Sequence, residues 1–447
     1  LCVILDSIYF GGVIPRGKMT TSVKSRKYNK FHSLLQRRNL DDKDRPQGRS
    51  TFLLRVLPRA AIPTLVTVFV IIACFPLLSS RNKATLTARR AYSAASFPKC
   101  DLFTGDWVPN PDAPAYNSSC YGIHEHQNCM KFGRPNLDFL KWRWKPDECE
   151  LPLFDADEFL EVLRDKSVAI VGDSVGRNHL QSLICLLSKI QYPEHIYASK
   201  DDRVQRWKYF KYNFTIAKFW TPFLVNWKES DPDGPSRTGV YDLFLDEFDT
   251  TWTSKLGDYD YVILNSGRWF YRSSIYYENG SVSGCRYCLK QDVADLPMRY
   301  GYQMALKTAF RAINGREDYR AVTFLRTLAP SHFENGKWNE GGNCLRTAPY
   351  RRNETSMVSD EMELYEIQLK EFEEAKREGE KKGRKFVLFD TTKAMLVRPD
   401  GHPSKYGHSP DENVVLKNDC VHWCLPGAID VWNDMFLEML KRRVWEN

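Results

Sequence analysis

Residues 169–179 read AIVGDSVGRNH, an apolar run that ends in Gly172-Asp173-Ser174 and gives way to a helical pattern. Ser174 is therefore either a reactive group at a strand-to-helix turn or merely the first polar residue after a strand. The triplet alone decides nothing, since a given three-residue string arises by chance in roughly one chain in twenty of this length.

Three more runs share the character of Val168 to Val171: Tyr261 to Leu264, Val322 to Leu325 and Phe386 to Phe389. All are short, rich in Val, Ile, Leu and Phe and bounded by polar residues, as expected of strands buried on both faces. Helical spacing separates them over Asn178 to Leu187, Met298 to Asn314 and Asp360 to Gly383, the last with an apolar stripe of Met362, Tyr365, Leu369 and Phe372. A closing helix from Ala428 would bury Ile429, Trp432, Phe436, Met439 and Leu440. Strand alternating with helix implies an α/β fold with a mainly parallel sheet. In such sheets reactive groups gather at the carboxyl ends of the strands. Those ends read GDS, NSGRW, RTLAPSHFENG and DTT.

A serine hydroxyl needs a histidine to take its proton, and that histidine needs a carboxylate to orient it. His179 lies five residues after Ser174 inside the following helix and is expected to point away from the turn. Near the other end, NDCVHWCLPG (418–427) offers Asp419 and His422 three residues apart, a spacing that lets a carboxylate reach one imidazole nitrogen and leaves the other free. Acyl transfer also needs preorganised oxyanion donors.

The N-terminal fifth is different in kind. Residues 60–80 contain no charge between Arg59 and Arg81, and as a helix would span about 32 Å, a bilayer core. We read 1–59 as a basic cytosolic tail, 60–80 as a transmembrane signal anchor and 81–98 as a stem; Met19 is the first methionine, so 1–18 are read as upstream of the translated start. Four sequons, at Asn117, Asn213, Asn279 and Asn353, and ten of the twelve cysteines follow the anchor, which places the C-terminal part in an oxidising lumen or outside the cell. The net charge of +8 owes much to the tail and stem, and is not read as a nucleic-acid footprint. Residues 99–152, with four cysteines and little strand or helix period, read as a small disulfide-held subdomain before a catalytic domain over 153–447.

Two cysteine clusters, Cys285-x-x-Cys288 and Cys420-x-His422-x-Cys424, would suit zinc in a cytosolic chain; the compartment favours disulfides, and no metal site is assigned. His124 and His126 are read as solvent-exposed loop residues. Trp207, Trp220, Trp227 and Trp269 are read mainly as core, with sugar stacking as the alternative.

The segments CDLFTGDWVPN, FGRPNLDFLKWRWKPDECELPLFD, VGDSVGRNH, RTLAPSHFENGKWNEGGNC, DGHPSKY and DCVHWCLPG, which span Cys100 to the C-terminus, resemble the trichome-birefringence-like family of plant polysaccharide O-acetyltransferases, whose catalytic domain is SGNH (GDSL) hydrolase-like. The resemblance implies Ser174 as nucleophile, His422 as base and Asp419 as its orienting acid. It further implies Ser174, Asn265 and Gly267 as oxyanion donors, with a strand-to-loop turn as the alternative reading of the last two. It pairs Cys100 with Cys149, Cys120 with Cys185, Cys129 with Cys424 and Cys344 with Cys420, and leaves Cys285 and Cys288 for each other. Asn136 stands where the family usually has Asp, and Arg268 where His is common, at a strand end where substrate contacts would change.

On this resemblance the chain would be a single-pass type II Golgi membrane protein that moves acetyl onto hemicellulose through an acetyl-Ser174 intermediate. It would hold no bound cofactor but need an acetyl donor, supplied directly or by a membrane protein. Residues 269–288, WFYRSSIYYENGSVSGCRYC, are similar to the branch acting on xyloglucan side chains or mannans; xyloglucan leads, then mannan, then xylan. An acetylesterase and a non-catalytic wall-polysaccharide-binding protein are the rival readings.

Overall fold

The computed structural model describes residues 100–231, 239–287, 292–409 and 418–446. The expected tail, anchor and stem, and Cys288, lie outside these residues. Among the described residues no helix is long and apolar enough to cross a membrane.

A seven-stranded sheet organises the chain: β1 (Ser167–Gly172), β2 (Glu194–Ala198), β3 (Val204–Tyr209), β4 (Phe214–Trp220), β5 (Tyr261–Leu264), β6 (Val322–Arg326) and β7 (Lys385–Phe389), in the spatial order β7-β6-β5-β1-β4-β3-β2. The first five in that order are parallel, and β3 and β2 extend the edge antiparallel. All four strands read from the sequence are adjacent. Their residues alternate between two cores: Val168 and Ile170 on one face, Ala169 and Val171 on the other. This two-sided burial is why they read as continuous apolar runs rather than as alternation.

Helices α1 (Ser174–Leu187) and α4 (Val431–Arg442) cover the first face, and α2 (Met298–Asn314) and α3 (Ser359–Glu380) the second. α1 starts four residues earlier than its apolar spacing suggested, because Asp173 caps it by accepting the Val175 N–H at 3.0 Å. In α3 the buried face is Leu364, Tyr365, Gln368, Phe372 and Ala375, while Met362 is exposed. The expected stripe was displaced because the helix also buries polar groups, Glu361, Gln368 and Glu371. The closing segment buries all five residues expected of it.

A second, four-stranded sheet was not foreseen. Its strands are, in order, 281–286, 274–278, 241–248 and 225–229. Asn279 and Gly280, both at positive φ, make the two-residue turn that joins 274–278 to 281–286. Trp220, Trp227 and Trp269 pack with Phe223 and Tyr241 beside this sheet, Trp269 buried in the core and Trp220 and Trp227 partly buried against it, and Trp207 lies against the ring of His195.

The segment up to 152 is not a separate body. The described residues from Cys100 onward fall within one compact unit. Strands 105–109 and 142–146 pair antiparallel, and Leu102, Trp144 and Leu151 join the same core as α1 and α4. Trp107 donates its indole N–H to the Ala394 carbonyl at 2.7 Å and stacks against the buried guanidinium of Arg398. Cysteines 100 and 149 pair within the segment, but Cys120 reaches Cys185 on α1 and Cys129 reaches Cys424. Cys344 pairs with Cys420. Cys285 is disulfide-bonded.

Candidate active site

Gly172 ends β1 at φ +154°, and a Cβ there would fall 1.9 Å from the Asn265 carbonyl oxygen. Gly176, within the first turn of α1, admits the Asn265 side chain, since a Cβ would lie 2.5 Å from its Nδ2. Both glycines of VGDSVG are thus explained by one neighbour. Asn265 is fully buried and donates through Nδ2 to the Val171 carbonyl at 3.0 Å. This bond braces the turn, as the alternative reading has it, and uses one of the two Nδ2 protons. Gly267, at φ +147°, opens the short helical turn 268–271 against Leu328 and Tyr302.

Ser174 is the first residue of α1, so its backbone N–H has no intrahelical acceptor. Its Oγ lies 2.8 Å from His422 Nε2, and His422 Nδ1 lies 2.9 Å from Asp419 Oδ2. With Nδ1–H donating to the carboxylate, Nε2 is left to accept the serine proton. Ser174 and His422 are buried and Asp419 is half-buried. Burial raises the Asp419 carboxyl, but the His422 ring and the N–H groups of His422 and Val421 outweigh it and hold Asp419 well below the usual carboxylate range. It stays ionised and so orients the ring.

Residues far apart in sequence hold this loop. Asn178 on α1 binds both backbone polar groups of Trp423. Disulfides 344–420 and 129–424 flank His422. Ser404 pairs with Asp419 through two backbone hydrogen bonds, and Arg134 donates to the carbonyls of Asp400 and His402. Except for the disulfides, sequence reading missed these supports. Asn178 stood in the quoted stretch, four residues past Ser174, and was visible there as a buried-face amide.

His179 is fully inside α1's packed face, with Nε2 3.2 Å from Asn433 Oδ1 and its ring against Trp432. Burial and the nearby Arg326 charge push its pKa down to about 3. Arg268, its side chain mostly buried, pairs with Glu361 of α3 and donates to the Ala329 carbonyl. Glu361 also accepts from Ser331. The DTT end is likewise internal, with Asp390 accepting from Thr327 and Tyr365. The four sequon asparagines are all exposed. Among the described residues no group of three or more His, Cys, Asp or Glu is placed to hold a metal.

The model of the GDSL/SGNH-like acyl-esterase family found in Pmr5 and Cas1p matches residues 151–439, and that of the PMR5 N-terminal domain matches residues 98–150. Protein trichome birefringence-like 19 of Arabidopsis thaliana is 58% identical over 78% of this chain and 82% of its own length. Xyloglucan O-acetyltransferase 4 of Populus trichocarpa is 45% identical over 77% and 81%. Xyloglucan O-acetyltransferase 2 of Arabidopsis thaliana is 41% identical over 77% and 83%.

Proposed function

The chain belongs to the GDSL/SGNH-like acyl-esterase family, among its trichome-birefringence-like members, and from that membership we propose that it is a polysaccharide O-acetyltransferase with hemicellulose, xyloglucan side chains first, as acceptor. The observation that carries the chemistry is the 2.8 Å contact between Ser174 Oγ and His422 Nε2 at the carboxyl end of β1. The preference for xyloglucan over mannan and xylan rests on the named activities of relatives and on the segment 269–288.

Two half-reactions share the site. Ser174 Oγ attacks the donor's acetyl carbonyl as its proton passes to His422 Nε2; the oxyanion collapses, the donor's carrier group leaves with that proton, and acetyl-Ser174 remains. A sugar hydroxyl then gives its proton to His422 and attacks the acetyl-serine carbonyl. Collapse releases the acetyl ester and returns the proton to Ser174. Asp419 holds the imidazole in the required tautomer and stabilises the imidazolium. The Ser174 N–H, at the positive end of a 14-residue helix, is the first oxyanion donor in this scheme, with the Gly267 N–H as the second.

The family description also favours a second reading, an acetylesterase, since water and a sugar hydroxyl differ only as acceptors. Incubating the purified chain with an acetyl donor and bare xyloglucan, mannan and xylan oligomers, and separately with acetylated oligomers alone, separates the two. Acetyl gain on bare xyloglucan supports the proposal; acetyl loss without gain supports the esterase. The apolar run 60–80, the exposed sequons and the disulfides support a type II placement in the Golgi membrane with the catalytic part lumenal.

A further inference from the structure

Behind the base loop two buried imidazoles face each other, His332 in the loop after β6 and His402 in the Asp400-Gly401-His402 turn. His332 Nδ1 and His402 Nε2 are 2.7 Å apart. The outer nitrogen of each ring meets a backbone carbonyl: His402 Nδ1 lies 2.7 Å from the His422 oxygen, and His332 Nε2 lies 2.8 Å from the Leu396 oxygen. A carbonyl oxygen only accepts, so both outer nitrogens carry protons. A neutral imidazole has one N–H. Two neutral rings would therefore direct both protons outward and leave two lone pairs opposed at 2.7 Å in a buried site. Turning either ring over replaces its nitrogens by carbons and forfeits both of its hydrogen bonds.

We propose that His332 and His402 share one proton, and that this singly charged dyad is a positioning device holding the His422 carbonyl, and with it the His422 ring, in register with Ser174. The functional half of this inference rests on Ser174 and His422 acting as nucleophile and base; the proton count does not.

The hydrogen-bond geometry calls for one charge, and the surroundings oppose a second. Burial lowers the pKa of both rings and Arg268 opposes their charge, while each ring disfavours a second proton on its neighbour. Glu361 from α3 and Asp400 from the 399–401 turn favour a proton on His332, and Asp419 from the base loop favours one on His402. Arg398 is neutralised by Asp400, Arg268 is paired with Glu361, and Arg134 reaches the His402 carbonyl. Trp423 stacks on the His402 ring, with centroids 4.2 Å apart, and closes the last side. As pH rises the shared proton is lost, the inner contact becomes repulsive, and the hold on His422 loosens.

The test is ring-15N NMR of the histidines in the full chain, with His332→Asn to assign the dyad. Three protonated nitrogens among the four at neutral pH support the proposal; two protonated nitrogens overturn it, whether or not the chain transfers acetyl. Asparagine at 332 places an amide donor against His402 Nε2 without a third proton. His332→Asn is expected to keep activity near neutral pH and to lack the alkaline fall in rate of the parent, whereas His332→Phe is expected to lose about tenfold or more at every pH. Unchanged activity and pH profile in His332→Phe overturn the positioning role. A chain with no acetyl transfer at all contradicts the proposed function and leaves the nitrogen count to decide the shared proton.

Discussion

Asn178 grips Trp423 by both ends of its peptide: the Trp423 N–H donates to Oδ1 at 2.8 Å, and Nδ2 donates to the Trp423 carbonyl at 3.3 Å. One helix thus carries the nucleophile at its first residue and, one turn on, the clamp for the loop that carries the base. Asn178→Ala should lower the transfer rate by about 10- to 100-fold, since small displacements between reacting groups are costly. It should reduce stability by only about 1–3 kcal/mol. Rate and denaturant unfolding measured on the same preparation check this; a stability loss with an unchanged rate would show that the clamp does not set the geometry.

The bridges 129–424 and 344–420 enter the base loop from opposite sides of His422. Graded reduction should therefore abolish activity before tryptophan fluorescence reports global unfolding. Activity that persists after both bridges are reduced would contradict this.

Burial, with Asp430 beside it, pushes the Asp434 carboxyl at the start of α4 up to about 8. The unfolded carboxyl titrates near 4, so the folded state binds the extra proton between about pH 4 and 8. Stability from this group is therefore full at the acid end and declines as pH rises through that window. The Tm should be lower at pH 8 than at pH 6, and Asp434→Asn, which keeps an acceptor for the Phe154 N–H, should flatten the difference. An unchanged slope in the variant would assign the dependence to other groups.

Glu361 is the buried counter-charge of Arg268 and also receives Ser331. Glu361→Ala leaves a guanidinium unpaired in the core and should cost about 3–5 kcal/mol in denaturant unfolding. A loss well under 1 kcal/mol would mean that Arg268 finds water or another acceptor.

Four of the five parallel strands were legible because they are buried on both faces and so read as unbroken apolar runs; Phe214–Trp220, interrupted by Thr215 and Lys218, was not. The 225–286 sheet was not, because it mixes polar and aromatic residues and one of its pairings, 241–248 with 274–278, is parallel and nonlocal. That Ser174, His422 and Asp419 come together was legible because the chemistry restricts residue types, two of them lie within one turn, and the family resemblance points to the same three. The resemblance implies Asn265 as an oxyanion donor and does not reveal its bond to the Val171 carbonyl; two glycines four apart were the available sign that something packs against the turn. Arg268 and Glu361 were hidden because a charged residue at a strand end looks the same whether it faces a cleft or a core. The stripe on α3 was misplaced for a related reason, that a helix burying carboxylates defeats a count of apolar positions.

In the proposed mechanism acetyl rests on Ser174 between donor and acceptor. Mass spectrometry of the purified chain, incubated with an acetyl donor and no acceptor, should find one acetyl group on the peptide containing Ser174, discharged when xyloglucan oligomers are added and absent in Ser174→Ala. Acetyl transfer by Ser174→Ala at the parent rate would refute the acetyl-serine intermediate.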